Sequence, residues 1–364
     1  PWAKVSLLDA SRFDDDTAYA AINTFRLDDL RPHIYRTHDA GRTWAHVTNG
    51  IPDGGIVNAV REDPVRRGLL YAGTERAVYV SFDGGEHWQS LRLNMPATSI
   101  RDLVVKGDDL VVGTHGRSVW IHDDVTPLRQ AEASTAGLGA ALFAPQVAHR
   151  VRWNLNTDTP LPPEEPAGQN PPDGAILNYW LGEKATGPVT LEIVDPAGRL
   201  VRRFRSDDLP DAPIEGRNLP DYWIRPPQVL SAAPGMHRFV WDLHFPPPRV
   251  PEFEYPIAAV VGNTPRSPLG PWVVPGRYTV RLVASGKTLE QPLVVKMDPR
   301  VKASAAELER QLEVSDRLVG ALARTEDPAQ RQGLARLYEL VQESDAAPTG
   351  VVLAEVAKRL DPGR

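Results

Sequence analysis

The 364-residue chain contains no cysteine. This excludes disulfides, thiol nucleophiles and zinc–thiolate sites, while leaving the compartment open. No apolar run approaches the ~18 residues that a membrane-spanning helix needs. Basic residues never cluster densely and the formal net charge is −6, which argues against nucleic acid or an anionic membrane as main partner. HExxH, GxSxG, P-loop and GxGxxG motifs are missing, and the nine histidines lack metal-ligand spacing, so neither metal nor cofactor is expected. The opening Pro-Trp-Ala-Lys-Val-Ser has no initiator Met, basic segment or apolar core of a leader, and predicts a trimmed precursor or a fragment. Proline is in excess: 35 residues, nearly twice the usual ~5%. Barred from helix interiors and central strands, it predicts many turns and edges.

A repeat occupies the first 125 residues. Tyr35-Arg36-Thr37-His38-Asp39-Ala40-Gly41-Arg42-Thr43-Trp44 matches Tyr79-Val80-Ser81-Phe82-Asp83-Gly84-Gly85-Glu86-His87-Trp88 at an offset of 44 residues. The shared pattern is [ST]-x-D-x-G-x-x-W. In a third, decayed copy Trp120 falls where Tyr79 was and Asp124 where Asp83 was, with the Gly and Trp lost. The second unit predicts strands over Ile56–Glu62, Leu69–Gly73, Ala77–Ser81 and His87–Leu93. Four short strands per unit is the arithmetic of a propeller blade. Asp would cap the N–H groups of a tight turn, Gly would take positive φ, and Trp would pack between sheets.

This pattern resembles the Asp-box, or BNR repeat, of sialidases, xyloglucanase-type glycosidases, sortilin-type receptors and a bacterial group named "glycosyl hydrolase" by repeat homology. The stretches "RLDDLRPHIYRTHDAGRTW", "VREDPVRRGLLYAGTERAVYVSFDGGEHWQSL" and "DLVVGTHGRSVWIHDDVTPLRQ" are similar to the last blades of that bacterial group. The resemblance implies a mainly β chain carrying about three blades of a β-propeller in residues 1–128. It implies a structural, peripheral role for Asp39, Gly41, Trp44, Asp83, Gly85 and Trp88, and a secreted or periplasmic location. Three blades cannot close a ring, which takes about four to eight. Upstream blades on the parent chain, or blades of a separate chain, are therefore expected partners.

Residues 129–172 read as a Pro-rich linker, with six prolines between Pro160 and Pro172. Strands are predicted again over Gly174–Leu181, Val189–Val194, Arg199–Phe204, Gly235–Leu243, Gly276–Ala284 and Leu289–Lys296. Residues 173–298 thus read as an antiparallel β-sandwich, similar to the Ig-like or fibronectin-III-like domains that follow such propellers. Pro246–Pro275, with nine prolines, reads as an ordered excursion packed on a neighbour. The tail, 299–364, predicts helices. Ser304-Ala305-Ala306-Glu307 is a capping box. Asp327-Pro328 supplies an N-cap and a proline at N1. A third short helix is expected over Val351–Leu360.

Chemistry has two candidate locations. The first repeat carries an insertion, Arg26-Leu27-Asp28-Asp29-Leu30-Arg31-Pro32-His33, dense in charge beside a strand. A glycosidase needs two carboxylates about 5–10 Å apart. Asp28, Asp29, Glu62 and Glu75 are the weak catalytic candidates; each also has a plain structural reading, Asp29 with Arg31 or Glu62 with Arg61 as solvated surface pairs. Thr114-His115-Gly116-Arg117 is the second location, at a strand-to-strand turn where the resembling family has a similar run. Arg117 there could bind a carboxylate bidentately. Binding is expected at Arg31, His115 and Arg117. The chain reads as a glycan- or peptide-binding or scaffolding module; the alternative is a glycoside hydrolase with part of its machinery on the missing blades.

Overall fold

The computed structural model describes residues 2–132, 135, 137–152, 168, 170–209, 218–250, 255, 262 and 264–360. The fold is mainly β, with helices concentrated at the C-terminal end. It divides into two compact units, Pro1–Ala133 and Ser134–Arg364.

The first unit contains three antiparallel meanders. One is β1 (Lys4–Ala10), β2 (Ala18–Asn23), β3 (Ile34–Thr37) and β4 (Ala45–His46), paired in chain order. The next is β5 (Val57–Glu62), β6 (Leu70–Thr74), β7 (Val78–Ser81) and β8 (Gln89–Ser90), again in order. The third has β9 (Ile100–Lys106), β10 (Asp109–Thr114) and β11 (Val119–His122), then a short helix, α1 (Thr126–Gln130), where a fourth strand would stand. The expected strands of the second meander are present, except that the outermost shrinks from seven residues to two.

The middle sheet is buried on both faces. Leu70, Ala72 and Tyr79 pack with Tyr19, Ala21 and Ile34 of the first sheet. Their neighbours Leu69, Tyr71 and Val78 pack with Ile100, Leu103 and Val112 of the third. Successive strand side chains alternate faces, so a strand covered on both sides reads as an unbroken apolar run. Gly73 permits a close approach of the third sheet: a Cβ there would lie 2.7 Å from Ile100 Cγ2. The outer sheets are half-covered. Val5, Leu8 and Trp44 of the first sheet's repeat, and Val104, Val119 and Ile121 of the third, are exposed.

In the second unit, β12 (Ala140–Leu142), β14 (Ala175–Leu181) and β17 (Gly235–Trp241) form one sheet. The other is ordered β13 (Ala148–Arg150), β19 (Lys287–Met297), β18 (Gly276–Ala284), β15 (Thr190–Val194), β16 (Leu200–Arg205). One apolar core, including Tyr179, Leu191, Trp241 and Val280, joins them. The β18–β19 hairpin turns on Ser285-Gly286, with φ of 50° and 71°. Two positive-φ residues make the tight turn that suits strand twist. The expected linker is corrected at 140–150, which supplies β12 and β13. Strands of three residues carry too little alternation to stand out, and β13 pairs parallel to a distant strand, β19. The proline-rich 160–167, and 251–254, 256–261 and 263 within the later excursion, lie outside the described residues.

Three helices follow: α2 (Ala305–Arg324), α3 (Pro328–Gln342) and α4 (Gly350–Leu360). The Ser304/Glu307 capping box and the Asp327 cap are formed as expected. Leu318, Leu322, Leu334, Tyr338 and Val356 share a core. Arg150 of β13 fastens helices to sheets. Its guanidinium, 1% exposed, donates to Val273 O, Gln311 Oε1 and Asp345 Oδ1. Arg152 binds Asp345 too, at 3.1 Å.

Candidate functional site

The repeated turn and the inter-strand loops lie at opposite ends of the sheets, which separates scaffold from site. At the turn, Asp39 Oδ1 accepts the Thr43 N–H and the Thr37 hydroxyl, both at 2.8 Å. Thr37 Oγ1 accepts the Gly41 N–H at 2.9 Å. Forty-four residues later, Asp83 Oδ1 accepts the His87 N–H and the Ser81 hydroxyl, and Ser81 Oγ accepts the Gly85 N–H. Gly41 and Gly85 have φ of 85° and 98°, where a Cβ is strained. The Thr43 N–H, then its hydroxyl, holds the Asp39 carboxyl down at about 2. Burial pushes Asp83 up, but the His87 N–H and ring and the Ser81 hydroxyl hold it below the usual range. Both carboxylates are consumed by the turn. Replacing Asp83 by Ala should lower stability by ~1–3 kcal/mol, because the His87 N–H loses its acceptor. Thermal melting checks it, with ligand capture by the folded variant expected to stay unchanged.

Trp88 and Trp44 differ. Trp88 is buried and its Nε1 donates to Val47 O, next to the preceding sheet, at 2.9 Å. Trp44 is 41% exposed and turns its Nε1 back to Gly41 O. The expected packing between sheets holds only where a preceding sheet is described.

At the other end, the β2–β3 insertion, the β6–β7 turn and the β10–β11 turn converge. The backbone couples them in equivalent ways. Gly54 N–H donates to Leu30 O and Thr98 N–H to Arg76 O, joining each inter-sheet loop to the loop of the preceding sheet. Glu75 N–H donates to Ile56 O and His115 N–H to Ser99 O. Side chains add a polar row across the three sheets. Asn23 Nδ2 donates to Asn58 Oδ1 at 2.8 Å. Asn58 Nδ2 donates to Glu75 Oε1 at 2.9 Å and to Ile100 O at 3.0 Å. Arg101 Nη1 donates to Glu75 Oε1 at 3.1 Å. Burial pushes the Glu75 carboxyl up, but Ser99, Asn58, Arg101 and the nearby His115 outweigh it and hold it low. Glu75 is therefore a carboxylate at neutral pH.

The structure brings Glu75 and His115 together and disperses the other candidates. Asp29 closes on its own loop: Arg31 grips both its oxygens, and His33 Nε2 meets Oδ2 at 2.9 Å. These hydrogen bonds, Arg31 first, hold its carboxyl well below the usual range. His33 Nδ1 meets His46 Nε2 at 3.3 Å, and both rings lie near Tyr35. Asp28 is exposed at a positive φ of 55°, ending a single 3-10 turn. Glu62 is buried at the end of β5, opposite Leu70 at the start of β6, its Oε1 accepting the Gly68 N–H. About five strand steps, roughly 15 Å, separate it from Glu75. His115 and Arg117 are exposed, and the Arg117 guanidinium has no hydrogen bond among the described residues. Phe25, Leu27 and Leu30 of the insertion are also exposed. Asn23, Asn58 and Arg101 escaped the sequence reading. The signal for Asn58 was an amide inside the apolar run Ile56–Val60.

No family model matches the chain, and no curated protein sequence does. Among solved structures it is similar to an ancestral GH74 enzyme, at 19% identity over 31% of this chain and 14% of that one, with a TM-score of 0.27. A GH74 xyloglucanase from Xanthomonas campestris is 16% identical over 48% of this chain and 27% of that one, TM-score 0.27. YCF48 bound to D1 peptide is 16% identical over 33% and 37%, TM-score 0.26. These are β-propeller proteins. The chain spans only 14–37% of their lengths. At these identities and scores no activity, ligand or partner follows.

Proposed function

We propose that the chain is a binding or scaffolding module whose ligand, a peptide, sits on the loop end of the first unit. In this reading that unit is about three blades of an Asp-box β-propeller. Further sheets of the same repeat, from the parent chain or a separate one, cover Val5, Leu8 and Trp44 on one side and Val104, Val119 and Ile121 on the other. The second unit is an Ig- or fibronectin-III-like sandwich with a helical tail, and the protein is exported.

The row from Asn23 through Asn58 and Glu75 to Arg101 carries the proposal. It fixes the floor of the loop end with its own hydrogen bonds. The open side chains include Leu27, Leu30, Phe25, His115 and Arg117, beside the exposed Asp28. That set fits an extended peptide with aliphatic side chains and a carboxylate for Arg117. A glycan asks for open amides and carboxylates, and here Asn23, Asn58, Asp29 and Glu75 are already hydrogen-bonded within the protein, with Asp28 exposed. A hydrolase asks for a carboxylate pair about 5–10 Å apart, and no observation favours one.

The test is capture of the folded chain on matched peptide and glycan panels. Peptides with an acidic residue beside aliphatic ones should be retained. Arg117→Ala and Phe25→Ala should each weaken retention by about tenfold or more, a hot-spot loss of ~1–3 kcal/mol, with melting unchanged. Retention of glycans alone, or indifference to both substitutions, would contradict the reading.

A further inference from the structure

His33 and His46, thirteen residues apart in the chain, bring ring nitrogens together in the first sheet. His33 stands just before β3, His46 ends β4, and the ladder between these strands sets Tyr35 opposite His46. The imidazole rings lie 5.3 Å apart and are tilted by 51°, so they meet edge first and do not stack. His33 Nδ1 is 3.3 Å from His46 Nε2, and His46 Nε2 is 3.2 Å from Pro32 O. The Tyr35 ring packs beside that of His46, 5.1 Å away.

Asp29 decides where the protons are. Its Oδ2 lies 2.9 Å from His33 Nε2. A carboxylate only accepts, so Nε2 carries the proton and Nδ1 of the neutral ring is a lone pair. The His33 side chain is 13% exposed, so the ring is held by its protein partners. Arg31 Nε and Nη2 occupy both oxygens of Asp29. Asp29 is therefore placed as the carboxylate that orients a ligating imidazole from its far nitrogen, and not as a ligand itself. A single proton on His46 Nε2 then serves two acceptors, His33 Nδ1 and Pro32 O, both at the long end of hydrogen-bond range. Moving that proton to His46 Nδ1 leaves three lone-pair atoms around the place it held. A tetrahedral ion bound at about 2.0–2.1 Å separates two ligating nitrogens by about 3.3 Å, and the imidazole nitrogens here are 3.3 Å apart.

We propose that His33 Nδ1, His46 Nε2 and Pro32 O bind a divalent transition-metal ion of the zinc, copper and nickel class, with Asp29 as the positioning residue. Imidazole suits these ions, whereas magnesium and calcium take sets of oxygens. No cluster of three or more ligating side chains occurs among the described residues, so the carbonyl and solvent complete the set. His46 is exposed, which leaves a path for the ion and room for water. The site is independent of the peptide site proposed above, and its test contains no peptide.

The experiment titrates the full chain with zinc chloride, by calorimetry and by the imidazole ¹⁵N signals, with magnesium chloride as the counter-probe. One zinc should bind and shift His33 Nδ1 and His46 Nε2 together, with magnesium inert. His46→Ala, on an exposed two-residue strand, should weaken zinc binding by about tenfold or more with melting unchanged. Asp29→Ala should weaken it by about 10–100-fold and, before any metal is added, should change the ¹⁵N pattern of His33 as its Nε2–H loses its acceptor. Asp29→Asn, whose amide oxygen still accepts that N–H, should recover part of both effects. His149→Ala, an exposed imidazole of the second unit, should leave binding as it is. No zinc binding at millimolar concentration, an equal response to magnesium, or zinc binding that survives His46→Ala would overturn the proposal.

Discussion

Asp345→Asn should destabilise the second unit by about 3–5 kcal/mol in urea-induced unfolding. Asp345 is the shared anion for Arg150 and Arg152, and its side chain is 6% exposed. Arg150 is almost wholly buried and cannot recover water when its partner is removed. An amide still accepts one hydrogen bond but leaves two guanidinium charges uncompensated. Leucine in place of Arg150, made together with Asp345→Asn, should recover part of the loss, since an uncompensated buried charge costs more than an absent pair. Acid should act in the same direction. Burial pushes the Asp345 carboxyl up, but hydrogen bonds from Arg152 and the charge of Arg150 outweigh it and hold the folded group below its ordinary value. A depressed folded pKa means the contribution is intact above about pH 4, the unfolded value, and is lost as pH falls through the lower folded one. A variant as stable as the parent, with an unchanged acid transition, would show that Arg150 is compensated elsewhere.

The tryptophan pair should separate just as clearly. Trp88→Ala should cost about 3–5 kcal/mol, because the ring is buried against Val47, Ile51 and Leu70 of the same core. Trp44→Ala, at the same place in the preceding repeat, should cost about 1 kcal/mol or less, as suits a surface substitution. The motif is the same in both, so the difference measures the neighbouring sheet and not the turn. Joining further sheets of the repeat to the first one should raise the cost at Trp44 toward that at Trp88. Equal losses in the present chain would mean that each Trp stabilises its own turn alone.

The strands of the middle sheet were legible because their ends are punctuated: Asp83-Gly84-Gly85 and the Arg67-Gly68 turn bracket apolar runs. The helical tail was legible for a related reason, since Ser304, Glu307, Asp327 and Pro328 act on backbone N–H groups within one turn of themselves. Other features depend on partners distant in sequence. β13 is three residues of a parallel pairing with β19, and nothing near Ala148 announces it. The insertion was conspicuous for its charge, yet Asp29, Arg31 and His33 satisfy one another. Glu75 looked no better than Glu62; only the arrival of Asn58 and Arg101 from other strands distinguishes them. His244 gave no sign at all, because its exposed-or-buried state is decided by Trp272 and α3.

The central claim, that the polar row floors a peptide site, is tested most directly by following the side-chain amide signals of Asn23 and Asn58 and the Arg101 Nε signal during titration with a captured peptide. The account predicts that these three move together, saturate with the binding isotherm, and lose their response in Arg117→Ala while the peptide remains uncut. Perturbations confined to other residues, or turnover of the peptide during the titration, would contradict it.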